Sequence, residues 1–362
     1  MRGILRSKSF QTSLMRWATV LLLVAGTCEF GVTQTATAPA PPSTSSEPSQ
    51  PSTTQSSPPV AAQAGTQNPA EQKSSEDKGA DNGEIPRIRV GINEVNVVFT
   101  VTDKHGKRVT DLKQADFHFV DDNKPATEIR SFHAETNLPL QVALLIDASN
   151  SVRDRFKFEQ EAAIEFLNSI IRPRYDKAFV VGFDATPEVT QDFTDNTENL
   201  SAGVRMLRAG GGTALYDALY FACRDKLLKQ EQTGSVRRAI ILLSDGEDNL
   251  SHVTREEAIE MAQRADVIVY TISTNISGMK GSGDKVLERI AEATGGRAFF
   301  PFQMREMSDA FLSIQEELRS QYAVAYKPAN FVADGRYRTI EILAQDRGLK
   351  VRTRKGYYAP KQ

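Results

Sequence analysis

Four uninterrupted apolar runs constrain this chain more than any other feature: Val142-Ala-Leu-Leu-Ile, Ala178-Phe-Val-Val-Gly-Phe, Ala239-Ile-Ile-Leu-Leu and Val267-Ile-Val-Tyr-Thr-Ile. A strand that is apolar on both faces must be covered on both faces, which is the situation of a parallel sheet sandwiched between helices. The stretches between and after these runs carry the helical period instead. They run from Phe156 to Ile171, Ala214 to Leu228, Thr254 to Ala265, Lys285 to Ala293 and Met304 to Arg319. Strand and helix in alternation predict a doubly wound α/β domain over residues 138–320, with a mostly parallel sheet flanked by helices. Phe299-Phe-Pro-Phe302 reads as a buried last strand of that sheet.

The segments on either side are incomplete in complementary ways. Before the α/β stretch, residues 87–137 hold short β-rich runs such as Val95-Asn-Val-Val-Phe-Thr-Val and Phe117-His-Phe-Val, with turns at Asp103-Lys-His-Gly and Asp121-Asp-Asn-Lys. After it, residues 321–360 supply Gln321-Tyr-Ala-Val-Ala-Tyr, Tyr337-Arg-Thr-Ile-Glu-Ile-Leu and Leu349-Lys-Val-Arg-Thr. Neither set makes a stable sandwich alone. The two are expected to fold together as one small β-sandwich, into which the α/β domain is inserted. Lys350, Arg352 and Arg354 alternate along the last run, so they share one face, expected to be solvated.

Residues 1–38 carry an export signal. Arg2, Arg6, Lys8 and Arg16 precede an apolar run from Trp17 to Ala25, and Ala36-Thr-Ala offers a cleavage site. That run falls short of the about 20 residues of a comfortable membrane span; an uncleaved anchor is the alternative, and both place the folded part outside the cytoplasm. Cys28 stands where a lipid-anchored protein carries its acylated cysteine, although Thr27 and Ala25 match that signal poorly. Residues 39–86, dominated by Pro, Ser, Thr, Ala and Gln, lack the apolar side chains to offset ordering and read as a disordered tether to a membrane or cell envelope. With Cys28 removed, Cys223 has no partner; its helical setting makes it a buried, inert thiol. A near-balanced charge, 44 basic against 46 acidic residues, argues against a nucleic-acid partner.

The chemistry gathers at strand ends. The first buried run leads into Asp147-Ala-Ser149-Asn-Ser151, a helix follows Gly210-Gly-Gly-Thr213, and Ser244-Asp245-Gly246 follows the third run. The D-x-S-x-S string alone arises by chance in roughly one chain in ten at ordinary residue frequencies and suits a plain turn with a helix cap. Placement gives it weight, because loops at the carboxyl ends of strands in an open α/β sheet converge where the strand order reverses. What converges is a set of hard oxygen donors, which suits Mg²⁺. A phosphate loop is excluded, since no Lys follows Gly212.

These five positions, in this order and strand context, resemble the metal-ion-dependent adhesion site of von Willebrand factor A and integrin inserted domains. Leu112-x-x-x-Asp116-Phe117 and Lys355-Gly-Tyr-Tyr-Ala-Pro360 further resemble a secreted bacterial group of such proteins first described in acidobacteria. The resemblance implies that the first and fourth strands of the sheet are neighbours. It also implies that Ser149, Ser151 and Thr213 bind one divalent cation directly, while Asp147 and Asp245 act largely through water. Mg²⁺ is the expected ion, with Mn²⁺ or Ca²⁺ as alternatives. A Glu or Asp of a partner protein would complete the octahedron.

Other polar residues receive plainer readings. Glu247 and Asp248 suit dipole partners of the following helix better than ligands. His252 is expected in a surface loop, and His105, His118 and His133 on exposed positions of the β module. Enzyme readings fit poorly: the aspartyl-phosphate type would need a second Asp at position 149, and a serine hydrolase a G-x-S-x-G elbow around Ser149. A third reading makes the domain an envelope scaffold whose metal only fixes the loops.

Overall fold

The computed structural model describes residues 94–135, 138–230 and 236–361. The expected export signal, tether and Cys28 lie outside the described residues. Among the described residues, no helix is long and apolar enough to cross a membrane.

The central sheet contains β5 (Leu140–Asp147), β6 (Lys177–Phe183), β7 (Pro187–Thr194), β8 (Arg237–Ser244), β9 (Val267–Ser273) and β10 (Ala298–Phe299). Their order is β10-β9-β8-β5-β6-β7, all parallel except β7. Leu145 sits opposite Val181 on one side and Leu242 on the other. The chain moves outward from β5 to β6 and then returns to place β8 on the other side of β5, so the strand order reverses between β5 and β8. The first and fourth strands are thus neighbours, as the resemblance implied.

Six helices cover the two faces. Alternate strand residues Val142, Leu144 and Ile146 pack with α1 (Phe156–Ile170), α2 (Thr197–Met206) and α6 (Met304–Leu318). Ala143 and Leu145 pack on the opposite side with α3 (Leu215–Phe221), α4 (Arg255–Arg264) and α5 (Ser282–Thr294). Helix α3 continues as a π-helical turn, Ala222–Leu227, in which Cys223 is fully buried and burial pushes its thiol pKa far up. Two elements escaped the sequence pattern: the hairpin edge β7 and the short α2, which Asn196 caps by accepting from the N–H groups of Glu198 and Asn199.

The flanks form two antiparallel sheets. One is ordered β13-β1-β11-β4, from β1 (Val95–Thr102), β4 (Glu128–Glu135), β11 (Gln321–Lys327) and β13 (Lys350–Thr353). The other is β14-β12-β2-β3, from β2 (Phe117–Asp121), β3 (Lys124–Pro125), β12 (Tyr337–Ala344) and β14 (Gly356–Tyr358). They share one core around Phe99, which meets Phe117 edge-on at 5.2 Å and stacks on Tyr322 at 5.3 Å. Strands from before and after the α/β domain alternate in the first sheet, and in the second they meet where β12 pairs with β2, so the two flanks complete each other.

Two expectations need correction. Of the face expected to be solvated, Lys350 is exposed but Arg352 and Arg354 are half-buried. Arg352 binds Glu317 at the end of α6, and Arg354 binds Asp266 at 2.6 Å and the Asn96 carbonyl at 2.7 Å. Alternation shows that these side chains share a face but not what that face meets, and here it meets the α/β domain. The Phe299–Phe302 run does reach the edge of the sheet, but only Ala298 and Phe299 pair, and neither is fully buried. Arg297 covers the Phe299 ring and Lys280 the Phe300 ring, at 4.6 and 3.9 Å, while Phe302 is exposed.

Candidate metal centre

The crevice between β5 and β8 opens at the carboxyl ends of both strands, where an open α/β sheet places its ligands. Strand β5 delivers Asp147 there, fully buried. Its Oδ1 accepts the Ser149 N–H at 2.9 Å, turning the chain back across the strand end, and its Oδ2 accepts the Ser244 hydroxyl at 2.6 Å from the end of β8. Both carboxylate oxygens are therefore oriented by donors before any ligand arrives. Ser149, 2% exposed, lies 2.9 Å from Ser151 between hydroxyl oxygens, and Ser151 faces solvent.

The glycine loop docks onto this turn. Gly210 N–H donates to the Ala148 carbonyl at 2.7 Å, and the Gly211 carbonyl accepts both the backbone N–H and the side-chain amide of Asn150. Of the three glycines only Gly211 takes a positive φ, +81°, while at Gly212 a Cβ would stand 2.5 Å from the Leu250 side chain. Thr213 follows, 4% exposed. Its N–H donates to Asn249 Oδ1 at 2.9 Å and its carbonyl accepts from Asn249 and Leu250, so the loop after β8 holds the Thr213 loop in place.

Asp245 is half-buried, and its Oδ1 accepts the Glu247 N–H at 3.0 Å. It shares a surface groove with Ser151, Glu247, Thr274, Asn275 and Asp284. Asp248 accepts the Tyr216 N–H at the start of α3 and the Ser251 hydroxyl; Glu247 accepts from Ser282. His252 pairs with Asp217 at 2.8 Å and touches none of the five site residues.

All five sequence-predicted residues lie at the carboxyl ends of the strands or in the loops there: Asp147, Ser149 and Ser151 are joined by direct bonds, Asp245 shares the groove with Ser151 and its charge acts on Asp147, and Thr213 is bonded to Asn249 and Leu250 of the loop that follows Asp245. Sequence reasoning missed two polar residues whose surroundings only the fold reveals. Ser244 was visible beside Asp245 but was not assigned a role. Glu159 lies in the buried stripe of α1 with Phe156, Ala163 and Phe166, and a lone carboxylate in such a stripe was the available signal.

The electrostatics suit a cation. Burial pushes the Asp147 carboxyl up to about 6, against the pull of Ser244 and Ser149, and the charge of Asp245 adds to the rise. Nearby, burial pushes Glu159 up to about 8; Arg155 opposes this, and Asp147 and Asp245 add to it. Among the described residues, no group of three or more His, Cys, Asp or Glu side chains is disposed to hold a metal ion. A cation here would need hydroxyl donors beside two carboxylates, which is the donor set Ser149, Ser151 and Thr213 provide and one that Mg²⁺ accepts.

Comparison with known proteins agrees with the fold. Residues 142–247 match the family model of the von Willebrand factor type A domain. Calcium-activated chloride channel regulator 1 of Bos taurus is 33% identical over 169 residues, spanning 44% of this chain but only 17% of that protein. Among solved structures, a von Willebrand factor type A protein from Catenulispora acidiphila aligns with 69% of this chain and 76% of its own, at 14% identity and a TM-score of 0.43. Proximal thread matrix protein 1 from the mussel byssus, with a zinc-occupied MIDAS motif, aligns over 54% of this chain and 49% of its own, at 16% identity and a TM-score of 0.43. The family match over residues 142–247 spans β5 to β8 with the switch point between them, and over these residues the chain is similar to a von Willebrand factor type A domain.

Proposed function

We propose that Asp147, Ser149, Ser151, Thr213 and Asp245 hold one divalent cation, Mg²⁺ first, through which the protein captures an acidic side chain of a protein partner. Von Willebrand factor type A domains, which residues 142–247 match, are protein-interaction modules. The observation that carries the reading is the Asp147 carboxylate, buried and doubly oriented at the switch point, with Ser151 and Asp245 of the same loops lining a surface groove. In this reading Ser149, Ser151 and Thr213 bind the ion directly, and Asp147 and Asp245 hold its waters. Bound there, the ion supplies an electrophilic position for a carboxylate. Keeping the chain's own carboxylates behind water leaves that charge for the partner.

The solvent-facing Ser151 and the groove beside it favour capture over a closed, purely structural site. Binding is also favoured over hydrolysis. The Ser149 hydroxyl is engaged with Ser151, and the one histidine of the α/β domain is paired with Asp217. We further read the protein as exported, a member of the secreted bacterial group, held to the envelope or released, with the partner presented outside the cytoplasm.

Calorimetry on the full chain tests the metal. Mg²⁺ or Mn²⁺ should bind the wild type and fail to bind Asp147→Ala and Asp245→Ala; heat changes that persist in both variants would remove the site. A partner recovered from the cell envelope should be lost with chelator and with Asp245→Ala.

A further inference from the structure

Glu159 sits in the first turns of α1, fully buried, with neither carboxylate oxygen hydrogen-bonded. Among the described residues it is the only carboxylate whose buried oxygens lack partners. Packing does not explain it. The neighbouring positions of the stripe are Phe156, Ala163, Phe166 and Ile170, and an apolar residue would fill the place without the cost of desolvating an acid.

The charges acting on Glu159 are those of Arg155, Asp147 and Asp245. Arg155 is committed elsewhere, donating to the Thr274 carbonyl at 2.8 Å. Three carboxylates against one guanidinium leave two negative charges when all are ionised, which is the charge one divalent cation neutralises. Glu159 does not complete a cluster of acidic ligands with Asp147 and Asp245. Its influence must therefore pass through a hydroxyl or a water between it and the ion. Groups of this kind orient and strengthen the direct ligands of metal sites.

We infer that Glu159 is an outer carboxylate of the metal centre, a positioning residue that accepts hydrogen bonds from groups on the cation and sets its affinity. This rests on the reading of the five residues as a cation site. It also ties occupancy to packing: the first turns of α1 contain an uncompensated acid until the ion is present, so the ion stabilises α1 as well as the loops.

The test uses the full chain as wild type, Glu159→Gln, Glu159→Leu and Asp147→Ala, with Mg²⁺ alone as the probe. Calorimetry should show Mg²⁺ affinity reduced about 10- to 100-fold in both Glu159 variants, the usual effect of losing an outer partner. Thermal unfolding in chelator should show both variants at least as stable as wild type, with a smaller gain on adding Mg²⁺. A purely structural residue would lower stability equally with and without the ion, and that result overturns the inference. So does wild-type affinity in Glu159→Gln while Asp147→Ala binds nothing. If the wild type itself binds no Mg²⁺, the metal reading fails and this inference with it.

Discussion

Ser244 donates its hydroxyl to Asp147 Oδ2 at 2.6 Å, across 97 residues of sequence, and the Ser244 hydroxyl oxygen in turn accepts the Gly246 N–H at 3.0 Å. One buried hydroxyl thus ties the ends of the two switch-point strands and fixes the turn that presents Asp245. Ser244→Ala removes a donor from a buried carboxylate and an acceptor from a buried N–H. It should cost about 1–3 kcal/mol, the range for leaving buried polar groups unsatisfied, as read by urea unfolding in chelator. It should also weaken Mg²⁺ binding, since Asp147 then loses one of the two donors that orient it.

The pH dependence of the metal-free protein should run opposite to that of an ordinary surface. The unfolded chain releases the Asp147 and Glu159 protons near 3.8 and 4.5, whereas burial holds them in the folded state to about 6 and about 8. Between those values the folded state binds more protons, so the stabilisation present at low pH is lost as pH rises, down to a floor above about 8. The stability difference between wild type and Glu159→Leu in chelator, followed by denaturation from about pH 5 to about pH 8, should widen in favour of the variant. Mg²⁺ affinity should climb over the same interval, because the ion needs the ionised forms. A flat stability difference would contradict the upward shift of Glu159.

Asp176 predicts the reverse behaviour at the other end of the sheet. Its buried carboxylate takes the guanidinium groups of Arg172 and Arg319 and the N–H groups of Leu140 and Arg172. Burial alone would push its carboxyl up, but these donors outweigh it and hold the pKa below the usual value. Its contribution is therefore present above 3.8 and lost as pH falls through the lower folded value. Asp176→Asn should cost about 3 kcal/mol, the low end for breaking a buried ion pair, because both arginines keep access to water. Its stability should also fall less steeply in acid than that of the wild type.

Two glycine substitutions should separate sharply. Gly246 has φ at +82°, and a Cβ there would stand 2.1 Å from the Gly283 carbonyl oxygen. Gly246→Ala should lower stability by more than about 1 kcal/mol and abolish metal binding by displacing Asp245. Gly210 meets nothing within 4 Å, so Gly210→Ala should stay within about 0.5 kcal/mol of wild type. Equal effects in thermal melts would show that the close approach of Gly246 to Gly283 is unimportant.

The α/β core was legible because β5, β6, β8 and β9 are covered on both faces and so spell continuous apolar runs. Strand β7 is covered less completely, with half-buried and exposed residues throughout, and offers no such run. The motif residues were legible because turn chemistry at strand ends is local. Glu159 was not, since its meaning depends on Asp147 and Asp245, which reach it only through the fold. The same holds for Arg352 and Arg354, whose partners Glu317 and Asp266 belong to another part of the sequence.

Gln321 and Glu135 are register partners at the adjoining ends of β11 and β4. From the sandwich's side, the entire α/β domain is therefore a hairpin loop, leaving one strand and returning on its antiparallel neighbour. Closing a loop grows more costly only with the logarithm of its length, so this sheet hosts a folded passenger much as it would host a long turn. A passenger with both ends a strand's width apart is an exchangeable cassette. Another domain with adjacent termini could take its place without a single change in the strand order of the host.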